Sequence, residues 1–299
     1  MARPVIAGVD PFEPDPAPVV VAAAIAHLTH APLIIAASYL HDTISNAVSA
    51  GKVEHELRED ADRVMAELAG DLDAERVAIG GFSGARALHE LAVERDAGLI
   101  VVGSSRRGRL GRLTPGTTAE RLLHGGTCPI AVTPRGLADG WTLRSVGVGF
   151  IDLDEGRRAL KAAAALANLT GSTLEAVTAV EPMLYARGAA IAPYDTGAGS
   201  QAAGDAAAIS LRDALRAAGR DPSDGEVLLG DPVEALVGLS ERVDVVVCGS
   251  RGYGPVGSVL MGSVSHGLLR DAHGPVIVIP RDLDDAIERL IASDAQATA

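Results

Sequence analysis

The strongest constraint on this 299-residue chain is that it repeats itself. Leu99-Ile100-Val101-Val102 runs into the pattern Gly103-x12-Gly116-Thr117, and Val245-Val246-Val247-Cys248 later runs into Gly249-x2-Gly252-x9-Gly262-Ser263 at the same interval. The closing segments also match, Cys128-Pro129-Ile130-Ala131-Val132-Thr133-Pro134-Arg135 against Gly274-Pro275-Val276-Ile277-Val278-Ile279-Pro280-Arg281. So do the opening ones, Val5-Ile6-Ala7-Gly8-Val9 against Val146-Gly147-Val148-Gly149. Internal similarity at a fixed period means that one structural unit has been duplicated. The expected organisation is a first domain over 1–135, a glycine-punctuated linker over 136–142, a second domain over 143–281, and an appended amphipathic helix with a tail over 282–299.

Within each unit short apolar runs alternate with stretches of helical period, which predicts βα units and a parallel sheet. Strands are expected near 4–9, 32–39, 76–80, 98–103 and 129–133, and again near 143–149, 173–180, 225–229, 244–249 and 275–279. Helices are expected near 17–29, 51–69, 85–95 and 117–124, with another starting at Asp154 as its N-cap and one running from Ser263 to Leu269. Aromatic residues make up only 3% of the chain, so the cores must be built from Ala, Val, Leu and Ile. Buried parallel strands under alanine-rich helices suit that composition. The predicted fold class is α/β, two tandem doubly wound domains, each a five-stranded, mostly parallel sheet with helices on both faces. The segment 181–200, rich in Ala, Gly and Pro, is expected to be a mobile loop.

Ligands of such sheets bind beyond the carboxyl ends of the strands. Gly249 and Gly252 lie there, where the absence of Cβ lets a phosphate approach the backbone amides closely. Ser263 and the unpaired N–H groups of the first helical turn complete an anion site, and Ser265 is expected to add a second hydroxyl. The plainer alternative is a sharp loop followed by an ordinary serine N-cap. Gly252-x-Gly254-x2-Gly257 also fits the dinucleotide fingerprint, but it follows the fourth strand instead of the first. No Walker-type G-x4-G-K-[ST] sequence occurs.

The formal charge of −13 disfavours partners with phosphate backbones. The arginine group at 106, 107, 109 and 112 is too small to reverse this, so no nucleic acid is expected. The opening residues lack a basic n-region with a long apolar core, and the apolar stretch 19–26 is interrupted by His27 and His30. A cytoplasmic protein with no membrane partner is the expectation. Cys128 and Cys248 occupy non-equivalent positions, which argues against a structural disulfide. His27 and His30 share a helical face without a third ligand nearby in sequence, and Asp152-Leu153-Asp154-Glu155 reads as a helix entrance, so no metal site is predicted. No catalytic nucleophile with its base is visible.

Both units resemble universal stress protein domains, over roughly 4–135 and 143–281. The resemblance implies an adenine-nucleotide alpha hydrolase-like fold and, in the nucleotide-binding branch, a G-x2-G-x9-G-[S/T] motif that wraps ATP phosphates. Gly249, Gly252, Gly262 and Ser263 match it at every position. The acid that ends the first strand and holds the adenosine part is represented by Asp10. The first repeat retains Gly103, Gly116 and Thr117 but has Arg106 at the second motif glycine, and the second repeat has Gly149 where the acid belongs, with Asp152 as a nearby substitute. The resemblance further implies that the last strands, 129–133 and 275–279, pair as an internal pseudo-dimer, and two chains could pair in turn. The leading expectation is a stress-response module binding ATP, with Mg2+, or a related adenine nucleotide without efficient turnover. A non-nucleotide interaction scaffold and a slow ATPase or phosphotransferase stand as alternatives.

Overall fold

The computed structural model describes residues 2–40, 47–81, 83–104, 113, 115–124, 127–137, 140–181, 198–250, 262–281, 283 and 287. The first repeat contributes β1 (Val5–Val9), α1 (Ala17–Thr29), β2 (Leu33–Leu40), α2 (Ala47–Ala69), β3 (Glu75–Gly81), α3 (Gly84–Glu94), β4 (Leu99–Gly103), α4 (Thr117–Leu123) and β5 (Ile130–Thr133). The second contributes β6 (Ser145–Gly149), α5 (Asp154–Thr170), β7 (Thr173–Val180), α6 (Ala198–Ala217), β8 (Gly225–Leu229), α7 (Pro232–Ser240), β9 (Val245–Gly249), α8 (Ser263–Asp271) and β10 (Val276–Ile279).

Their order in the sheet is β3-β2-β1-β4-β5-β10-β9-β6-β7-β8. Every pairing inside a repeat is parallel, and the two halves meet through one antiparallel pair in which Val132, Ala131 and Ile130 face Val276, Ile277 and Val278. The seam therefore turns two five-stranded sheets into one of ten strands. Both seam strands are buried along their whole length, so leaving either edge open would expose an apolar template for other chains.

Alternate residues of the strands feed two cores, as expected for a sheet covered on both faces. Val5, Ala7, Leu99, Val101 and Ile277 pack with α1, α2, α5 and α6 on one side. Ile6, Ile100, Val102, Val246 and Val278 pack with α3, α4, α7 and α8 on the other. Each core runs across both repeats. Of the appended segment only Leu283 and Ile287 are described, and both join the first core. The expected helix and tail over 282–299 otherwise lie outside the described residues, as does most of the segment predicted to be a mobile loop.

Cross-strand pairing corrects the alignment of the repeats. Val5 faces Leu99 and Leu33, whereas Val146 faces Val245 and Leu174. Val5 thus corresponds to Val146, Gly8 to Gly149, and Asp10 to Ile151, not to Gly149. A packing constraint common to both glycines agrees: a Cβ on Gly8 would lie 2.6 Å from Leu88 Cδ1, and one on Gly149 2.8 Å from Leu236 Cδ1. In both repeats a leucine of the covering helix, Leu88 of α3 or Leu236 of α7, sits against the glycine and would have to shift to admit a Cβ. A second correction concerns α5. Its N-cap is Leu153, and Asp154 is the first helical residue, where with Glu155 it complements the positive end of the helix.

Candidate functional site

Strand order reverses between β1 and β4, and again between β6 and β9, because neighbouring strands there send their connections to opposite faces. A crevice opens at the carboxyl end of each such pair. The first has a volume of about 650 Å³ and collects Asp10, Gly103, Gly116 and Thr117, four predicted residues brought together from three elements. The second, about 400 Å³, collects Gly249, Gly262, Ser263 and Ser265. Gly252 and Arg106 lie outside the described residues.

In the second crevice α8 begins at an extended Gly262 (φ −62°, ψ 154°) that makes no side-chain cap hydrogen bond. Ser263 is the first helical residue, so the ordinary serine cap is not what this helix uses. The first backbone hydrogen bond of the helix runs from His266 N to Gly262 O, 2.9 Å, leaving the N–H groups of Ser263, Val264 and Ser265 without intrahelical acceptors. Ser265 Oγ donates to Gly249 O at 2.9 Å, so this hydroxyl ties the glycine that ends β9 to the helix. Gly249 is tightly seated, since a Cβ there would come 2.8 Å from the Glu155 carbonyl oxygen. Gly149, Phe150, Ile151 and Leu236 give the rest of the crevice an apolar wall, while Glu155 and Glu181 supply carboxylates.

The first crevice is built alike but charged differently. Asp10 Oδ1 accepts the Phe12 N–H at 2.9 Å, so the predicted ligand-holding acid also caps its own loop. Asp15 Oδ1, one residue before the Pro16 N-cap, accepts the Ala17 N–H at 3.0 Å and so satisfies the first amide of α1. Its Oδ2 is enclosed without a hydrogen-bond partner and lies 3.6 Å from where a Cβ on Gly103 would stand. Glu13, Phe12, Ser38 and Arg135 also line the cavity. In the second repeat Ser250 Oγ, next after Gly249, is likewise enclosed without a partner. Of the residues that the sequence reading did not single out, Asp15 had a signal, the Asp-Pro pair before a helix, and Ser38 lies in β2, while Phe12, Glu13, Arg135 and Ser250 sit on loops whose path local pattern does not determine.

Asp152 does not replace the missing acid. Its carboxylate binds Ser210 and Arg157 on the protein surface, and the Ser210 hydroxyl, with Arg157 behind it, holds it below the usual carboxylate range. Both cysteines are buried and reduced, and burial pushes each thiol up to about 12, so neither is a nucleophile near neutral pH. His30 closes α1 in the left-handed region at φ 54°. Among the described residues no group of three His, Cys, Asp or Glu side chains is arranged to hold a metal ion, and no helix is long and apolar enough to cross a membrane.

Two copies of a doubly wound unit, each with a glycine-lined crevice at its switch point, define a tandem α/β protein with one such crevice per repeat. The profile of the universal stress protein family matches residues 1–134 and again 142–280, and the chain belongs to that family. Universal stress protein Rv2319c of Mycobacterium tuberculosis is 28% identical over 208 residues, covering 64% of this chain and 68% of its own. Universal stress protein Rv1996 of the same organism is 53% identical over 58 residues, 19% of this chain, and the match spans only 18% of that relative's length. Among solved structures, a universal stress protein of Pseudomonas aeruginosa shares the fold with a TM-score of 0.66 at 16% identity, over 97% of this chain and 96% of the other.

Proposed function

We propose that this protein binds ATP or a related adenine nucleotide in the second crevice and acts through the bound state without efficient turnover, as part of a stress response. One observation carries the reading: the uncapped first turn of α8 opens beside the tightly seated Gly249, at the carboxyl ends of β6 and β9. Amides without intrahelical acceptors at the positive end of a helix favour an anion, and the adjacent glycine keeps side-chain bulk away from it. Gly249, Gly262 and Ser263 would hold phosphates, joined by Gly252 from the sequence motif. Ser265 would act indirectly by pinning Gly249. The apolar wall of Phe150, Ile151 and Leu236 suits a flat base, and a magnesium ion carried on the phosphates would offset Glu155 and Glu181.

Absence of turnover belongs to the reading for a chemical reason. Among the described residues neither Ser263 nor Ser265 has an imidazole or carboxylate hydrogen-bonded to its hydroxyl as a base, and Ser265 gives its proton to a backbone carbonyl. The test is calorimetric titration of nucleotide-stripped protein with ATP and magnesium. Saturable binding that Gly262→Asp removes is the expected result, and no binding at all would favour the scaffold alternative. Steady release of ADP above a protein-free control would favour the slow enzyme.

A further inference from the structure

We propose that Leu113, in the first repeat, is a positioning residue for the anion-binding helix of the second, so that a residue of one repeat completes a site in the other. The inference rests on the preceding reading only in taking the amino end of α8 as the place where nucleotide phosphates bind.

The helix α8 is held at both ends. At its amino end Ser265 Oγ donates to Gly249 O at 2.9 Å. At its carboxyl end the chain becomes extended at Ala272 (φ −61°, ψ 147°), whose N–H still closes the helix onto Leu268 O at 2.8 Å. The last carbonyls of a helix have no partner within it, and Ala272 is fully buried, so its carbonyl needs a donor from elsewhere. Leu113 supplies that donor, its N–H reaching Ala272 O at 2.7 Å. The Leu113 side chain is equally buried and shares one apolar core with Leu268, Leu269 and Ala272. Hydrogen bond and packing thus come from the same first-repeat residue.

Leu113 is itself tied to the sheet. Two residues on, Pro115 bridges Ser104 in an antiparallel pair. Ser104 in turn donates from its N–H at 2.9 Å and from its Oγ at 2.8 Å to the carbonyl of Thr133, the last residue of the seam strand β5. The anchor of α8 therefore hangs on the strand through which the repeats are joined. A helix of 9 residues is about 13 Å long, so a tilt at Ala272 carries through to the amides of Ser263, Val264 and Ser265. Those amides bind an anion only when they converge on it, and a nucleotide selects the seated helix. A helix seated about a tenth of the time binds about tenfold more weakly.

The experiment compares the nucleotide-stripped full chain as wild type, Leu113→Ala, Leu113→Met and Met65→Ala. Met65 is fully buried under α2 on the face of the sheet opposite α8, so Met65→Ala opens a comparable cavity away from the helix. Amide hydrogen exchange is read at Leu113 and over His266 to Ala272, and calorimetry with ATP and magnesium reads affinity. The Leu113 amide is expected to be protected in wild type. Leu113→Ala should exchange over α8 at least about tenfold faster than Met65→Ala and bind ATP about tenfold more weakly, while Leu113→Met, which conserves volume, keeps wild-type values. A Leu113 amide that exchanges like an open loop, or a Leu113→Ala protein that matches Met65→Ala in both readouts, would overturn the inference. So would weaker ATP binding without faster exchange over α8, or faster exchange with ATP affinity unchanged. Should Leu113→Ala not fold, Leu113→Val makes the same comparison with a smaller cavity. Wild type that binds no ATP, with exchange as expected, would overturn the proposed function and leave Leu113 as the anchor of α8.

Discussion

If Ile151 corresponds to Asp10, then Gly149 and Ile151 should respond in opposite ways to acquiring an acid. Gly149 lies under α7, and a Cβ there would stand 2.8 and 3.0 Å from the two terminal methyl groups of Leu236. Both distances fall inside normal contact, so even Gly149→Ala forces Leu236 to shift, and overpacking of this kind costs about 1–3 kcal/mol. Gly149→Asp adds a carboxylate against that apolar side chain, a further penalty of about 1–3 kcal/mol or more for an unpaired polar group. For a protein of this size each kcal/mol lowers the melting temperature by about 2–4 °C, so Gly149→Asp should lower it by roughly 5–15 °C or more. Ile151 is 43% exposed on the loop, and Ile151→Asp should stay within about 0.5 kcal/mol of wild type. Thermal unfolding followed by circular dichroism reads both. Equal melting temperatures for the two aspartate variants, or greater damage at Ile151, would refute the aligned register.

Two further outcomes follow from groups that sequence alone left undecided. Ser265→Ala removes one buried neutral hydrogen bond, which should cost about 1 kcal/mol in urea unfolding, while ATP affinity falls only a few-fold; a loss of a hundredfold or more would show that the hydroxyl contacts phosphate directly. The folded thiols of Cys128 and Cys248 titrate near 12, above the ordinary value of 9.0, so the unfolded chain releases these protons first as pH rises. Stability from this source is constant below about pH 9 and then falls by about 1.4 kcal/mol per pH unit for each thiol, and thiol reagents at pH 8 should label neither until the protein unfolds.

Much of the architecture was legible because it is written in local period. Runs such as Leu99-Ile100-Val101-Val102, set between stretches of helical period, read as strands covered on both faces, and the family resemblance pointed to the β5–β10 seam. The glycines and hydroxyls of the phosphate pattern were legible for a similar reason, since backbone approach restricts residue type at fixed spacing. What local pattern could not convey was register. Gly149 looked like a lost acid because it ends a strand, whereas the space for a side chain there is occupied by Leu236, distant in sequence. Asp15 and Phe12 lay hidden in a proline-rich loop whose course depends on the α1 cap and on the Asp10 turn. Ser265 was read as a ligand donor because its sequence neighbourhood says nothing of the Gly249 carbonyl that takes its proton.

The central claim is best tested at Gly262. This residue is the extended N-cap of α8, and aspartate is a favourable N-cap, so Gly262→Asp should keep or slightly raise stability while closing the amides to an anion. A carboxylate about 4 Å from a phosphate charge at an effective dielectric near 20 opposes it by about 4 kcal/mol before screening, enough to weaken binding by at least a hundredfold. Calorimetry with ATP and magnesium should give one saturable site in wild type, the same site in Gly116→Asp, and none in Gly262→Asp. Undiminished ATP binding by a folded Gly262→Asp protein would contradict the account.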